Sequence, residues 1–305
     1  MLTHVWPLMK TWRKFGFGPI EFVFSFRRRA RQSSGISVRR HSLVASTEIL
    51  VPASEGRLPQ EVLSPQTRNH CAGTAVIVGA GPGLGHALAR KLAKEGFDLV
   101  LVTRDAAKNR DLANELGVNG RAATTMGADA TDEKSVLKLF ADVESISGAP
   151  ALVVYCLQEF GPGRTVDISA SAFESAWRHN CLGAFLIGRS AARLMSTVNR
   201  GTMVFVGSTS SIIGRAGHLN LAVGKFGQRA ISQVLAREMW PLGVHVAHLM
   251  IDADIQASEG VHEPHPQSCP TEIAESVLSI HRQPRTAWTS ELDLRPWNES
   301  FWNHC

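Results

Sequence analysis

The sequence is poor in tyrosine and cysteine. Among its 305 residues there are one tyrosine, Tyr155, and five cysteines, and no two cysteines stand in a CxxC pair. This small, odd number argues against a disulfide framework or a zinc site, and it fits a reducing compartment. No run of 18 apolar residues occurs, so we predict no stable membrane span. Gly (26) and Pro (14) are too few for a collagen-like or low-complexity chain.

Positive charge is concentrated at the start of the chain. Residues 1–70 contain 11 Lys+Arg and 4 Asp+Glu, whereas the remaining residues contain 21 Lys+Arg and 23 Asp+Glu. The net charge of +5 therefore belongs to the first segment. Nothing in the remainder predicts a surface that follows nucleic-acid phosphates, so we expect no nucleic-acid partner.

The first segment has the composition of a targeting sequence. Residues 1–46 contain nine basic residues and one acidic residue, Glu21, with frequent serine from Ser33 onward. This composition is typical of organelle transit peptides and favours the mitochondrion, with a plastid or the cytoplasm as alternatives. A plain basic tail or a membrane-surface contact is also compatible with it. Residues 47–70 are predicted to be a linker, so 1–70 form a leader and 71–305 one domain.

Strand-like and helix-like segments alternate along residues 71–305. Strands are predicted near 75–78, 98–102, 122–128, 151–155, 202–206, 244–251 and 287–294. Helices are predicted near 84–96, 106–116, 131–146, 171–196, 221–240 and 270–281, with Ser171 and Glu174 as a capping box. Apolar strands that alternate with helices indicate a parallel sheet with helices on both faces. We therefore predict a single α/β doubly wound Rossmann domain with seven strands.

A glycine-rich loop follows the first predicted strand and opens the first helix. In this context Gly79 permits a tight turn, Gly83 lets backbone approach a pyrophosphate, and Gly85 lets helix and strand pack closely. The N-terminus of the helix would offer amide donors to the phosphates. The predicted dinucleotide-binding residues of this loop are Gly79, Gly81, Gly83, Leu84 and Gly85.

The end of the second predicted strand bears on the choice of dinucleotide. An NAD site favours a carboxylate there for the ribose 2′-hydroxyl, but the sequence has Thr103 followed by Arg104. A guanidinium suits the 2′-phosphate of NADP. Asp105 lies later and would compete for the ribose. We therefore expect NADP (NADPH) to be preferred, with NAD possible.

Five motifs together resemble the short-chain dehydrogenase/reductase family over roughly residues 72–298. The loop has the GxxxGxG spacing, and four further segments resemble family motifs at 128–132, 177–183, 207–208 and 224–225. The resemblance implies an adenine site at Asp129 and Ala130, and catalytic roles for Asn180, Ser208 and Lys225. It also implies a nicotinamide contact near Ile255, a small-molecule substrate, and a homodimer or homotetramer built on the 221–240 helix.

The chain departs from this family at the catalytic acid. The family's YxxxK tyrosine would lie four positions before Lys225, where this sequence has Leu221. The segment 155–158 replaces the family's NNAG, and Asp252 and Ala253 stand where the family has a Pro-Gly turn. Leucine cannot donate a proton, and loss of a positioned acid costs about 10²–10⁴ in rate.

Two other side chains are candidates to replace the missing acid. His218 lies seven residues before Lys225, the Tyr-to-Lys spacing of the family's enoyl reductases, and imidazole titrates near neutrality. Tyr155 ends the fourth predicted strand. Each residue also has a structural interpretation, His218 as a surface-loop histidine and Tyr155 as filling for the replaced asparagine. Water or the substrate could also supply the proton.

Two hypotheses for function therefore remain open. One is an NADP-preferring oxidoreductase that transfers hydride to or from a small carbonyl, alcohol or activated alkene. The other is a catalytically impaired nucleotide-binding pseudoenzyme or scaffold, because Leu221 replaces the tyrosine. No histidine spacing predicts a metal site, and Cys156 and Cys181 are predicted to be packed thiols.

Overall fold

The structure is a computed structural model that describes residues 72–117, 122–255 and 267–299. The predicted leader and linker lie outside the described residues. Within the described ranges, no helix is long and apolar enough to cross a membrane.

The centre of the fold is a seven-stranded, fully parallel sheet in the order β3-β2-β1-β4-β5-β6-β9. Its strands are β1 (Thr74–Val78), β2 (Asp98–Thr103), β3 (Ala123–Gly127), β4 (Leu152–Tyr155), β5 (Thr202–Ser208), β6 (His245–Ile251) and β9 (Glu291–Leu294). The predicted doubly wound α/β sheet is confirmed. Two short strands, β7 (Asp254–Ile255) and β8 (Gln267–Ser268), pair separately and were not expected.

Helices cover both faces of the sheet because its central strands are apolar on both sides. Every residue of β1, β4 and β6 is buried, and two separate apolar clusters form on the two faces. The helices are α1 (Leu84–Lys94), α2 (Arg110–Leu116), α3 (Glu133–Ser147), α4 (Ala170–Trp177), α5 (Gly183–Thr197), α6 (Leu219–Met239) and α7 (Pro270–His281). The helix predicted from Pro270 has the predicted bounds.

The long helix predicted at 171–196 differs in detail from the prediction. Its N-cap is Ser169, whose hydroxyl accepts a bond from Ala172 N at 3.2 Å, so the predicted capping box at Ser171 is wrong. A π-helical turn, Arg178–Leu182, separates α4 from α5. This turn inserts an extra residue into the helix, and it contains the buried Asn180.

Several other bounds also differ from the prediction. The helix α6 begins at Leu219, two residues before the predicted Leu221. The last strand begins at Glu291 and not near 287.

The strand order reverses beside β1, which lies between β2 and β4. Open α/β sheets bind ligands beyond the carboxyl ends of the strands at such a point. The glycine-rich loop follows β1, and the other candidate residues follow β2, β3, β4 and β5. Most of the predicted site therefore lies along one edge of the sheet.

Candidate functional site

The glycine-rich loop is held by backbone contacts that leave no room for side chains at two positions. Gly79 has a φ of 93°, and its N–H donates to the carbonyl of Val102 at 3.0 Å. A Cβ at Gly85 would lie 2.6 Å from the Gly79 carbonyl oxygen. In contrast, nothing lies within 4 Å of the Cβ position at Gly81. The loop is therefore packed against the helix on one side and open at Gly81.

A cleft of about 540 Å³ opens beside this loop. It is lined by residues that follow β1, β2, β3 and β4, including Gly79, Gly81, Thr103, Arg104, Asp129, Ala130, Leu157 and His179. Predicted residues Gly83, Leu84 and Gly85 belong to the same loop and the start of α1, whose first turn has free amide donors suited to phosphate. The loop, the helix end and the cleft together have the form that a dinucleotide requires.

The end of β2 presents two cations and one carboxylate, that of Asp105, to the cleft. The Thr103 hydroxyl donates to the Asp105 carbonyl at 2.8 Å, and the Asp105 carboxylate caps the next helical turn by accepting from Ala107 N at 3.0 Å. Arg104 and Lys108 are exposed and both line the cleft. Lys108 was not singled out in the sequence, although it lies three residues after Asp105.

Asp129 follows β3 at the far side of the cleft. One of its carboxylate oxygens accepts bonds from both the N–H and the hydroxyl of Thr131, each at 2.8 Å. Partial burial alone would raise the pKa of this carboxyl, but the two bonds outweigh it and the pKa is lowered. Asp129 therefore stays ionised and can accept a further donor. Ala130, beside it, is buried and lines the cleft.

Lys225 lies behind the cleft, on α6. Its side chain is 1% exposed, and its Nζ donates to the carbonyls of Val206 at 2.8 Å and Leu157 at 3.3 Å. Burial lowers the pKa of this amine to about 7. The Leu157 contact brings the amine to the wall of the cleft, because Leu157 lines it.

Asn180 fastens the loop after β4 to the π-helical turn. Its Nδ2 donates to the Glu159 carbonyl at 2.8 Å, and its Oδ1 accepts from Glu159 N at 3.1 Å. The side chain is fully buried, so both amide groups are used to hold this loop.

Ser208 ends β5 and begins a helical turn. Its hydroxyl oxygen accepts from Ser210 N at 3.2 Å, and its own N–H donates to Ser211 Oγ at 3.2 Å. The hydroxyl hydrogen is left to donate elsewhere. In the sheet register Ser208 lies opposite Ile251, at the end of β6.

Leu221 occupies the position of the family's tyrosine. It is 5% exposed and lies one helical turn before Lys225, on the same face of α6. The position is therefore apolar in structure as well as in sequence.

Tyr155 is not placed to replace the missing acid. It is 1% exposed, and its hydroxyl donates a short hydrogen bond to the His179 carbonyl inside the core. Burial raises the pKa of the phenol far above its usual range. The hypothesis that Tyr155 donates the proton is wrong, and its structural interpretation is the correct one.

His218 lies immediately before α6 and one turn ahead of Leu221. Its ring stacks on Phe160, with centroids 4.9 Å apart and planes 8° apart. Its Nδ1 is shielded from solvent and has no hydrogen-bond partner in the described part of the chain. His218 therefore stands near the reaction position without being fixed by a polar partner.

Other candidate positions are placed less favourably. Ile255 is exposed in β7 and does not line the 540 Å³ cleft. Burial raises the pKa of Cys156, to about 12, and the pKa of Cys181 is also raised chiefly by burial. Both cysteines are partly buried, in agreement with the predicted packing. Across residues 72–117, 122–255 and 267–299, no three or more acidic, histidine or cysteine side chains group as a metal site.

Two polar clusters near the cleft were missed from the sequence. His179 Nδ1 lies 2.6 Å from Glu159 Oε2, at the wall of the cleft. Asp252, at the end of β6, accepts from the Thr209 hydroxyl and from Arg295, with Arg215 nearby. The partners are separated by 20 to 43 residues in sequence, so no local pattern could have predicted them.

Comparisons with known proteins agree with this geometry. The short chain dehydrogenase family profile matches residues 73–258. Escherichia coli sorbitol-6-phosphate 2-dehydrogenase is 32% identical over 180 residues, which cover 58% of this chain and 70% of that protein.

Solved structures of the same architecture cover nearly all of their own chains. A short-chain dehydrogenase from Rhodopseudomonas palustris has 30% identity and a TM-score of 0.66, covering 75% of this chain and 100% of that one. An alcohol dehydrogenase from Thermococcus sibiricus, complexed with 5-hydroxy-NADP, has 24% identity and a TM-score of 0.69, covering 74% and 97%; this second likeness concerns the fold alone. With this match over residues 73–258, the chain belongs to the short-chain dehydrogenase/reductase family.

Proposed function

We propose that the protein is an NADP-preferring oxidoreductase that transfers hydride to or from a small carbonyl, alcohol or activated alkene. The observation that carries the proposal is the cleft beyond β1, β2 and β4, which joins the glycine loop to the wall backed by Lys225.

The residues of the cleft fit a nicotinamide dinucleotide from end to end. The open Gly81 position and the first turn of α1 suit the pyrophosphate, and the ionised Asp129 suits the adenine. Arg104 and Lys108 favour a 2′-phosphate, because the nearby Asp105 carboxylate already caps a helical turn. Lys225 would hold the nicotinamide ribose, and the family resemblance would put the carboxamide near Ile255, which lies outside this cleft. When bound, the cofactor supplies or accepts the hydride.

The chain's own side chains act on the oxygen of the substrate. The free hydrogen of the Ser208 hydroxyl is positioned to donate to a carbonyl oxygen, which orients and polarises the carbonyl. Asn180 acts by holding the 159 loop against the cleft. Leu221 excludes water but moves no proton. The proton therefore comes from His218, from water or from the substrate, and His218 is the titratable side chain nearest in sequence to Leu221.

The location in the cell is a separate proposal. The arginine-rich, acid-poor residues 1–46 favour import into the mitochondrion, with a plastid or the cytoplasm as alternatives. Imaging of the full chain with a C-terminal fluorescent tag, with and without residues 1–46, tests this. Unchanged distribution after the truncation would contradict a targeting role.

Cofactor titration tests the proposed function. We expect NADPH to raise the melting temperature of the full chain more than NADH does, since a ligand that binds the folded state stabilises it. Arg104→Gln should remove most of that preference, while Arg110→Gln, an exposed arginine outside the cleft, should preserve it.

Turnover with a panel of small aldehydes and ketones tests the chemistry. Leu221→Tyr should raise the rate by about 10²-fold or more, because it restores a positioned acid. Leu137→Tyr, on the exposed side of α3, is the matched control. His218→Ala should lower the remaining wild-type rate, and an unchanged rate removes His218 as the proton donor.

The outcomes separate the two hypotheses for function. If neither nucleotide binds, the oxidoreductase and the nucleotide-binding scaffold are both wrong. If NADPH binds but only Leu221→Tyr turns over, the wild-type chain is a nucleotide-binding pseudoenzyme.

A further inference from the structure

One buried acid after β6, Asp252, has two arginine neighbours and hydrogen-bonds one of them. Asp252 replaces part of the family's Pro-Gly turn at the end of β6, and its side chain is 6% exposed. Its Oδ1 accepts from the Thr209 hydroxyl and its Oδ2 accepts from Arg295 Nη1. Arg295 is held further by Asp293, both of whose oxygens lie 2.9 Å from its Nε. Each oxygen of Asp252 therefore already accepts one hydrogen bond.

Arg215 is the second cation of this cluster, and its contact with Asp252 is long. Its Nη2 lies 3.7 Å from Asp252 Oδ1, beyond hydrogen-bond distance. Asp252 and Asp293 equal Arg215 and Arg295 in number, but Asp293 is close to half exposed and pairs with Arg295. The positive charge of Arg215 is thus the least well balanced by nearby carboxylates in this cluster.

Two donors of the Arg215 guanidinium have no acceptor. Its Nε and Nη2 are shielded from solvent and without a hydrogen-bond partner in the described ranges. The Arg215 side chain as a whole is 34% exposed. Leaving charged donors desolvated and unpaired is costly, unless a ligand brings the acceptor.

Arg215 follows the strand that ends at Ser208 and not the strand that ends at Thr103. It lies in the loop between Ser208 and α6, and the His218 N–H donates to its carbonyl at 3.1 Å. Thr209, whose hydroxyl reaches Asp252, follows Ser208 directly in sequence. The Arg215 guanidinium contacts Asp252, and Asp252 accepts from Thr209, the residue next to Ser208. The strand that ends at Ser208 lies on the opposite side of β1 from β2.

We propose that Arg215 binds an anionic oxygen group of the substrate, a carboxylate or a phosphate, in the molecule whose reacting carbon lies at Ser208. This inference rests on the proposed function, which it narrows from small carbonyl or alcohol compounds in general to those with an acidic group. A guanidinium offers paired donors in the plane of a carboxylate or phosphate, which explains an arginine here. Asp252 acts as a positioning residue that keeps the guanidinium at the site.

Binding of inert probes tests the anion site without requiring turnover. Butan-1-ol, butyrate and butyl phosphate share one carbon skeleton and differ in the terminal group. Their dissociation constants are measured by calorimetry on the full chain, both free and saturated with NADPH. We expect at least one anion to bind about 10- to 100-fold more tightly than the alcohol, as for paired charged hydrogen bonds. The ratio of butyrate to butyl phosphate tells a carboxylate substrate from a phosphate one.

Two arginine variants isolate the contribution of Arg215. Arg215→Gln should weaken the preferred anion to the level of the alcohol and leave NADPH binding unchanged. Arg215→Lys should keep part of the affinity for the anion, since lysine retains the positive charge but not the paired donors of a guanidinium. Arg193→Gln removes one exposed positive charge on α5 and should change none of these values.

Each outcome bears on one proposal or the other. Equal affinity for the three probes, or anion binding that survives Arg215→Gln, overturns the anion site while NADPH binding still supports the oxidoreductase. If NADPH does not bind, the oxidoreductase is wrong. In that case anion binding by the free chain that is lost in Arg215→Gln still supports the anion site, and its absence overturns the site as well.

Discussion

At the scale of single residues, Tyr155 explains why the helix beside it needs a glycine. A Cβ at Gly183 would lie 2.3 Å from the Tyr155 hydroxyl and 3.3 Å from its ring carbon Cζ. The phenol fills the space below the π-helical turn and donates to its backbone at His179. From the sequence, Gly183 was assigned only to a family motif, because its contact lies 28 residues away.

The Tyr155–Gly183 contact predicts a strong coupling in a double-mutant cycle. Gly183→Ala should destabilise the fold by about 1–3 kcal/mol through overpacking, measured by urea unfolding. In the Tyr155→Phe background the same change should cost less, since the clashing hydroxyl is gone. Gly214→Ala, where nothing lies within 4 Å of the added Cβ, is the control. Equal costs in both backgrounds would contradict the contact.

From the burial of Lys225 we predict that the free energy of unfolding increases as the pH rises. Burial lowers its pKa in the folded chain from 10.5 to about 7. Between these values the unfolded chain binds the proton and the folded chain does not, so stability increases by up to about 1.4 kcal/mol per pH unit. Below about pH 7 both states are protonated and this contribution no longer changes.

Urea unfolding of the wild type and Lys225→Met between neutral pH and about pH 9 measures this contribution. The variant should lose the Lys225 part of the slope. Lys94→Met, at an exposed lysine at the end of α1, should keep it. Parallel curves for the wild type and Lys225→Met would show that the amine keeps an ordinary pKa.

At the scale of elements, the sequence predicted those elements whose signals are local. The glycine loop between β1 and α1 and the proline at the start of α7 are such signals, and both are found where predicted. The π-helical turn depends on Asn180 binding the backbone of Glu159 across 21 residues, so periodicity could not predict it. Ser169 and Ser171 both suit an N-cap, and only the backbone geometry decides for Ser169.

The glycine loop itself predicts a sharp contrast between two neighbouring substitutions. Gly85→Ala would place a Cβ 2.6 Å from the Gly79 carbonyl oxygen and should destabilise the fold by about 1–3 kcal/mol. Gly81→Ala meets nothing within 4 Å and should leave the melting temperature of the unliganded chain nearly unchanged. Similar melting temperatures for the two variants would contradict the packing of the loop.

At the scale of the whole molecule, the sheet order and the edge that bears the site followed from alternating strands and helices. The same pattern predicted that the candidate residues lie in loops at one edge, because the carboxyl ends of parallel strands meet there. The side-chain contacts at that edge could not be predicted from the order of the elements. Arg215, Asp252 and Arg295 come together only in the folded chain. Sequence patterns therefore predicted the residues that line the cleft better than the contacts between distant side chains.

The outer side of α4 to α6 predicts self-association. It exposes five large apolar side chains: Trp177, Phe185, Val223, Phe226 and Val234. A cluster of exposed apolar side chains of this kind marks an interaction surface. With the family resemblance of α6, it leads us to propose a homodimer or homotetramer.

Light scattering after gel filtration measures the oligomeric state. Phe226→Glu should reduce the mass of the particle by half or more, because a charge at the centre of an apolar interface is not compensated. Ile146→Glu, at an exposed isoleucine on α3, should leave the mass unchanged. A monomeric wild type would show that the surface serves another purpose.

The burial of the chain's one tyrosine also gives the protein an unusual optical property. The ultraviolet band of phenolate should be absent from the folded protein up to the alkaline pH at which it unfolds, because Tyr155 cannot ionise while buried. Any phenolate absorbance in folded Leu221→Tyr would then come from the new side chain alone. Because the chain lacks the family's catalytic tyrosine, the folded wild type has no phenolate absorbance of its own. The ionisation of one restored phenol beside Lys225 can therefore be measured directly.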